Sequence, residues 1–347
     1  AIIPYLLRIE YYKRRGYGQI RTVFTIHNLQ FQGVFPKEIL EDLLGLTDES
    51  FQPKHLEFFG NVNFMKGAIV AADKITTVSP TYKEEIQTPE FGERLDGLLR
   101  AREEDFFGII NGIDESFYNP ENDPSIFKNF TIDDLINKAV NKREIQKLFG
   151  LPECPDTPLM VMISRLTKQK GLELVKCVLD DILLEDIQLI ILGTGDVQFE
   201  EYFRQAAKGY PDKLKVHIGF DESLAHQLYA GADLFLMPSK FEPCGLGQLI
   251  AMRYGAIPIT RETGGLNDTV QSWNEFTEEG NGFTFRNFNA HDMLYTIKRA
   301  IHFYHHPHTW KMIVAIVMEK DHSWAQSAFK YSKLYTGLVS RSETHVF

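Results

Sequence analysis

The segment that decides the fold runs from a short apolar stretch into a glycine-rich turn: Leu234-Phe235-Leu236-Met237-Pro238-Ser239-Lys240-Phe241-Glu242-Pro243-Cys244-Gly245-Leu246-Gly247-Gln248. The apolar residues before Pro238 predict a buried strand. An apolar helical pattern follows from about Leu246 to Tyr254, and Gly255 is a typical C-terminal stop. A strand, a loop and a helix in this order predict one βα unit of a parallel sheet.

The same alternation recurs on both sides of this segment. Helical patterns at residues 172–184, 197–208 and 224–231 separate short apolar, β-branched runs. These runs predict further parallel strands at residues 23–26, 74–78, 107–110, 160–163, 189–192, 216–218 and 256–259. We therefore predict an α/β protein whose sheets are doubly wound and parallel.

The chain is long enough for two domains. Its 347 residues, 44% of them hydrophobic, can bury two ordinary cores. Residues 114–156 interrupt the alternation with four prolines and one helical pattern at 133–148, which predicts a domain boundary. We place a first domain at 1–115, a second at 116–322 and a terminal helix at 323–347 that packs back toward the first. Because Ala1 opens an apolar, helix-like stretch without Met, we expect sequence to precede it and the first domain to be incomplete.

Composition excludes several classes of partner and site. The formal net charge is −10 and no Lys/Arg-rich run occurs, which argues against nucleic acid. The three cysteines form no CxxC pair, which favours reduced thiols in the cytoplasm and argues against structural zinc. No stretch has the length and apolarity of a membrane span, and none resembles a signal peptide.

Ligands of open α/β sheets bind beyond the carboxyl ends of the strands, so the loops there are the candidate binding loops. Arg165 and Lys170 share one loop beside a predicted helix N-terminus, which suits a diphosphate, although a solvated basic turn has the same pattern. Glu242 precedes another helix among Pro243, Gly245 and Gly247. Its carboxylate either complements the helix dipole or contacts a ligand that approaches closely.

Three further strand ends carry unusual residues. His27 and Asn28 follow the first strand, where a histidine is either functional or a satisfied structural group. Gly193-Thr194-Gly195-Asp196 lacks the third glycine of a dinucleotide fingerprint and predicts a tight turn, with backbone near a ligand as the alternative. Thr263-Gly264-Gly265 is either a turn or a source of N–H donors. Together, the loops of the second domain predict a nucleotide-diphosphate cleft.

Four motifs in their order along the chain resemble the bacterial glycogen synthase and plant starch synthase family. They are Thr25–Leu29 with Gln32-Gly33, Ser164–Gly171, Phe241–Gln248 and Thr263–Leu266. The resemblance implies a GT-B fold, in which two Rossmann-like domains face a cleft, with the first domain incomplete here. It also implies transfer of glucose from ADP-glucose to the non-reducing end of an α-1,4-glucan, with retention of configuration and no metal or other cofactor.

The resemblance further implies roles for individual residues. Arg165 and Lys170 would hold the diphosphate, while Glu242 and the N–H groups of Gly245 to Gly247 would hold the glucosyl hydroxyls. His27 would reach the same sugar from the first domain. The other implied substrate contacts are Asn111 near the glucose, Phe220 stacked on the nucleotide base, and Asn28, Gly193, Cys244, Leu246, Thr263, Gly264 and Gly265.

The chain also departs from related sequences. The family's N-terminal Lys-x-Gly-Gly-Leu loop and its Asp-x-His segment are absent. Ile250 stands eight positions beyond Glu242, where related retaining transferases often carry a second Glu, and this favours a front-face reaction over a covalent enzyme intermediate. Two alternatives remain: a catalytically silent fragment that binds ADP or glucan, and a GT-B transferase that uses another donor.

Overall fold

The computed structural model describes residues 1–12 and 14–340, which fold into two compact units. The first unit comprises Ala1–Asn111 together with the segment that begins at Ala325, and the second comprises Gly112–Trp324. The boundaries predicted from the sequence lie after residues 115 and 322.

The first unit contains two small sheets. Strands β1, β5 and β6 form a parallel sheet in the order β1-β5-β6, and β2, β4 and β3 form an antiparallel one in the order β2-β4-β3. The strands are β1 Val23–Ile26, β2 Val34–Phe35, β3 Glu57–Phe58, β4 Asn61–Asn63, β5 Lys74–Thr77 and β6 Phe106–Gly108. The helices are α1 Ile3–Leu6, α2 Ile39–Asp42, α3 Phe64–Ala71, α4 Pro80–Glu85, α5 Asp96–Arg100 and, at the other end of the chain, Trp324–Ser340, of which the first residue belongs to the second unit.

Two predictions for this unit have clear outcomes, and one of its sheets was not predicted. The parallel strands are confirmed, with ends that differ by one or two residues at β5 and β6. The antiparallel sheet was not predicted, because its strands have two or three residues and include Glu57, Asn61 and Asn63. The opening helix is buried only in part: Tyr5 is 1% exposed, whereas Ile3 is 73% exposed.

The second unit is built on one six-stranded sheet in which all neighbours are parallel. Its strands are β7 Leu159–Ile163, β8 Gln188–Gly193, β9 Leu214–Ile218, β10 Leu234–Met237, β11 Ile257–Arg261 and β12 Phe283–Phe285. Its helices are α6 Ile136–Phe149, α7 Leu172–Cys177, α8 Leu179–Leu184, α9 Val197–Gly209, α10 Glu222–Gly231, α11 Gly247–Arg253, α12 Gly264–Thr269, α13 Ala290–Tyr304 and α14 Pro307–Glu319.

Strand order in this sheet locates the place where a ligand binds in such folds. The order β9-β8-β7-β10-β11-β12 is that of a doubly wound Rossmann sheet, as predicted. The chain proceeds outward from β7 in one direction and from β10 in the other, so the topological switch point lies between these two strands. Both are almost fully buried, which explains their uninterrupted apolar sequences.

Other boundaries in the second unit differ from the prediction. The single helix expected at 172–184 is interrupted at Val178, and β12 was missed. The helical segment expected at 310–339 is two helices, α14 and Trp324–Ser340. Between them, the carbonyl of His322 accepts the N–H of Ile113 at 2.8 Å, so the backbone pairs with a distant residue instead of continuing the helix.

Candidate donor-sugar site

A buried ion pair joins the two loops at the switch point. Lys170, in the loop after β7, places Nζ 2.6 Å from Oε2 of Glu242, in the loop after β10. The hydroxyl of Ser239 donates to the same oxygen at 2.9 Å. Only 13% of the Lys170 side chain and 8% of the Glu242 side chain are exposed. The sequence had suggested a helix dipole as the structural partner of Glu242, and the structure shows Lys170 instead.

This pair leaves bonding capacity on both members. Burial of two charges is costly, and each compensates the other. An ammonium group has three donors and a carboxylate two acceptor oxygens, so Lys170 can still donate and Glu242 can still accept. In the part of the chain that the structure describes, no protein donor reaches Oε1 of Glu242. The site therefore offers a cation and a carboxylate oxygen side by side.

Glycines allow the loops around this pair to touch backbone to backbone. A Cβ on Gly171 would lie 1.9 Å from the carbonyl oxygen of Pro238, and φ of Gly171 is +72°. A Cβ on Gly264 would lie 2.0 Å from the carbonyl oxygen of Glu242. The N–H of Gly265 donates to that same oxygen at 3.0 Å. These glycines therefore serve the approach of one loop to another, and the N–H of Gly265 already has an acceptor within the protein.

Two polar side chains hold the Glu242 loop in place. The side-chain amide of Gln169 donates to the carbonyl of Phe241 at 3.4 Å, and its backbone carbonyl accepts the N–H of Lys240 at 2.8 Å, so the two loops are joined beside the ion pair. Arg261, at the end of β11, donates to the carbonyls of Ser239 at 3.1 Å and Lys240 at 2.6 Å. Arg261 was not predicted as a site residue, although a cation at a strand end, shortly before Gly264 and Gly265, was a usable signal.

The turn after Glu242 presents backbone donors. Gly245 has φ of +73°, and helix α11 begins two residues later at Gly247. Across the described ranges, the N–H groups of Gly245 and Leu246 have no protein acceptor. The turn is rigid because the buried amide of Gln248 donates to the carbonyls of Cys244 and Gly245. These free N–H groups can bind an oxygen, as the resemblance implies for Gly245 to Gly247.

The remaining candidates of the second unit lie at the same edge of its sheet. Arg165 is exposed, and its guanidinium donates to Gln169 at 3.3 Å. Phe220 follows β9 and is 88% exposed, so its ring is available for stacking. Gly193 is buried, and a Cβ there would lie 1.8 Å from the carbonyl of Ser164. This contact between loops explains why position 193 is a glycine. It supports the interpretation of this segment as a tight turn.

Three other candidate residues near this site differ in their exposure to solvent. Cys244 and Thr263 are buried, whereas Leu246 is 45% exposed. Their roles toward a substrate stay predictions, as do those of the other candidates.

The candidates of the first unit lie at the carboxyl edge of its parallel sheet. His27 directly follows β1 and is exposed, and its ring has no hydrogen-bond partner among the described residues. It is therefore not a satisfied structural histidine. Asn28 accepts the N–H of Gln30 at 3.0 Å and so shapes the turn. Asn111 follows β6 and is half-buried.

Neither a metal cluster nor a spanning helix is found in the described ranges. No group of three or more His, Cys, Asp or Glu side chains there is arranged to hold a metal ion. No helix there has the length and apolarity needed to cross a membrane.

Comparisons with known proteins identify the family. A family model described as "Starch synthase catalytic domain" matches residues 1–101, and one described as "Glycosyl transferases group 1" matches residues 144–312. The chain is 61% identical to a glycogen synthase of Anoxybacillus flavithermus over 346 residues, which is 100% of this chain and 72% of that protein. A glycogen synthase of Geobacillus stearothermophilus is 60% identical over 99% of this chain and 71% of its own length. The chain belongs to the glycogen and starch synthase family.

One solved structure agrees with membership of this family, and a second agrees with the fold. The catalytic domain of starch synthase IV from Arabidopsis thaliana, bound to ADP and acarbose, superposes with a TM-score of 0.91 at 36% identity, covering 97% of this chain and 71% of that one. Anabaena HepE, in complex with UDP and glucose, has a TM-score of 0.58 at 16% identity over 92% of this chain and 74% of that one, which shows a shared fold alone. The predicted GT-B fold is confirmed.

Proposed function

We propose that this chain transfers glucose from ADP-glucose to the non-reducing end of an α-1,4-glucan, with retention of configuration. Family membership supports glucosyl transfer in glycogen or starch synthesis. The observation that carries the donor assignment is the Lys170–Glu242 pair at the switch point of the second unit. The related starch synthase structure contains ADP and acarbose, which supports a nucleotide and a glucan-type ligand here.

The charges of the site suit the charges that develop during transfer. Departure of the nucleotide diphosphate builds negative charge on its oxygens, which the Lys170 ammonium and the Arg165 guanidinium stabilise. Positive charge develops on the sugar ring, and the carboxylate of Glu242 lies 2.6 Å from that ammonium. In this arrangement Lys170 bridges the diphosphate and Glu242, while the N–H groups of Gly245 and Leu246 bind sugar hydroxyls.

The reaction proceeds on one face of the sugar. The bond between the anomeric carbon and the diphosphate oxygen breaks, and the acceptor hydroxyl oxygen bonds to the anomeric carbon from the same side. The departing phosphate oxygen takes the proton of that hydroxyl. Ile250 supports this route, because it is buried in α11 where some retaining transferases carry a second Glu that could act as nucleophile.

Cofactor and location are part of the same proposal. Arg165 and Lys170 would neutralise the diphosphate, so we propose that the reaction needs no metal. We also propose a cytoplasmic location, since Cys154, Cys177 and Cys244 are all free thiols.

A transfer assay with labelled ADP-glucose and glycogen tests the function. Wild-type protein incorporates label, whereas Glu242→Ala and Lys170→Ala reduce the rate by about 100-fold or more, by analogy with the loss of other preorganised electrostatic groups. Lys298→Ala is the control, because it removes a 2.9 Å ion pair with Glu185 that is partly solvent-exposed. Full activity of the Glu242 or Lys170 variants would contradict the assignment.

A donor and acceptor panel separates this function from its alternatives. We expect ADP-glucose to be preferred to UDP-glucose, and glycogen to be preferred to non-glucan acceptors. A preference for UDP-sugars would indicate another transferase. Calorimetric binding of ADP without any incorporation of label would indicate a silent binding protein.

A further inference from the structure

Strained backbone is concentrated at one place in the first unit. Among the described residues, four non-glycine residues have positive φ, and three of them are Phe59 (50°), Glu93 (47°) and Arg94 (66°). Residues with a side chain rarely adopt this left-handed conformation, because it is sterically unfavourable. They keep it where the surrounding structure requires it, and such residues are frequent at functional sites. The concentration of strain therefore marks a candidate site.

The strained residues form one exposed surface. Phe59 and Gly60 connect β3 to β4 with φ of 50° and 81°, a two-residue hairpin turn in which Asn-Gly is strongly preferred. The Phe59 ring is nevertheless 65% exposed. The guanidinium carbon of Arg94, which is also exposed, lies 4.8 Å from the ring centroid. We call Phe59 and Arg94 the Phe59–Arg94 platform.

Hydrogen bonds tie this platform to the loop that carries His27. The buried amide of Gln32 donates to the carbonyl of Glu93 at 3.0 Å and accepts from the amide of Asn63 at 2.5 Å. Strand β2 follows this loop directly and pairs with β4, the second strand of the hairpin. The platform and the loop therefore belong to one connected part of the first unit.

The charge around the platform favours a neutral ligand. Arg94 is the cation, but the carboxylate of Glu57 accepts the N–H of Gly60 at 2.9 Å, and exposed Glu93 is adjacent in sequence. An aromatic face packs against the C–H face of a sugar ring, while a guanidinium and carboxylates bond its hydroxyls. A neutral polyhydroxylated chain fits this combination better than an anion does.

We propose that the Phe59–Arg94 platform binds the acceptor glucan. This inference rests on the proposed function, since it names a surface that holds the polymer while its end reacts. Phe59 contributes the ring on which one glucosyl unit stacks, and Arg94 orients that ring and donates to hydroxyls. The unfavourable positive φ of both residues is then required to expose these side chains to the ligand.

The substitution Phe59→Asn tests the platform without harming the hairpin. Because Asn suits this turn better than Phe, we expect the melting temperature to be unchanged or higher. Loss of the ring should raise KM for glycogen by about 2- to 10-fold, the range expected for one aromatic contact, with kcat and KM for ADP-glucose unchanged. Phe276→Asn is the matched control: Phe276 is 90% exposed in the second unit, and its loss should leave all constants unchanged.

Native electrophoresis in gels that contain glycogen provides a readout independent of turnover. We expect glycogen to retard wild type and Phe59→Trp, which keeps an aromatic face, more than Phe59→Asn. If Phe59→Asn is folded and keeps wild-type retardation and KM for glycogen, the platform is overturned while the function stands. If the wild type is retarded without transferring glucose, the proposed catalytic function fails, and weaker retardation of Phe59→Asn still supports the platform.

Discussion

Gly171 faces the carbonyl oxygen of Pro238 so closely that a Cβ would lie 1.9 Å from it. We expect Gly171→Ala to separate the loops that carry Lys170 and Glu242, because φ of +72° is also unfavourable for alanine. A displacement of about 1 Å in substrate-positioning groups such as Lys170 and Glu242 can reduce the reaction rate by about 100-fold. Steady-state kinetics should show a reduced kcat/KM for ADP-glucose.

The control for this change is Gly209→Ala. Gly209 ends helix α9, and a Cβ there would meet no atom within 4 Å. Alanine should stabilise this position slightly and leave kinetics intact. Equal kinetics for Gly171→Ala and the wild type would show that the loops do not need this close contact.

Lys138 joins the C-terminal ends of two helices. Its Nζ donates to the carbonyls of Ala230 in α10, at 3.0 Å, and of Tyr254 just after α11, at 2.8 Å. Burial lowers the pKa of Lys138 to about 7, partly offset by Asp233. We expect Lys138→Met to destabilise the protein by a few kcal/mol, because two buried carbonyls lose their donor.

The lowered pKa of Lys138 also predicts a pH dependence. Between pH 7 and about 10, the unfolded chain binds a proton that the folded state does not, so the free energy of unfolding rises with pH by about 1 kcal/mol per unit. Urea unfolding from pH 7 to 9.5 should show this rise in the wild type relative to Lys138→Met. Parallel pH profiles for the two proteins would contradict the prediction.

His322 predicts a pH dependence of the same sign, at acid pH. Burial lowers its pKa to about 4, and its Nε2 is buried without a partner among the described residues. As pH falls from 6.5 to 4, the unfolded chain takes up a proton that the folded state excludes, so stability is lost. His322→Gln should lose less stability over this range than the wild type in thermal melts. The exposed His305, changed to Gln, should retain the wild-type profile.

Local sequence was sufficient for most of the sheet. Continuous apolar runs predicted β7, β8 and β10, because both faces of these central strands are buried. The short strands β2 to β4 and β12 were missed, since pairing with distant segments stabilises them more than their own residues do. The terminal helical segment was predicted as one element because the pairing of Ile113 with His322 has no local signal.

The sequence predicted where the candidate site lies, but not which of its residues contact each other. Strand ends identified Lys170 and Glu242, yet 72 residues separate them and nothing local predicted their ion pair. Gly264 and Gly265 were recognisable as special positions, whereas Gly171 was only the last residue of a motif. Only the structure shows that these glycines contact loop carbonyl groups. A glycine in a sequence indicates that another group approaches the backbone closely, but it does not identify that group.

The most direct test of the donor assignment is a crystal structure of this protein soaked with ADP-glucose. We predict diphosphate oxygens within hydrogen-bond distance of Lys170 Nζ and the Arg165 guanidinium, and the glucosyl unit beside Glu242 and the N–H groups of Gly245 and Leu246. Nucleotide bound at the opposite edge of the sheet, where Asp233 precedes β10, would contradict the donor assignment.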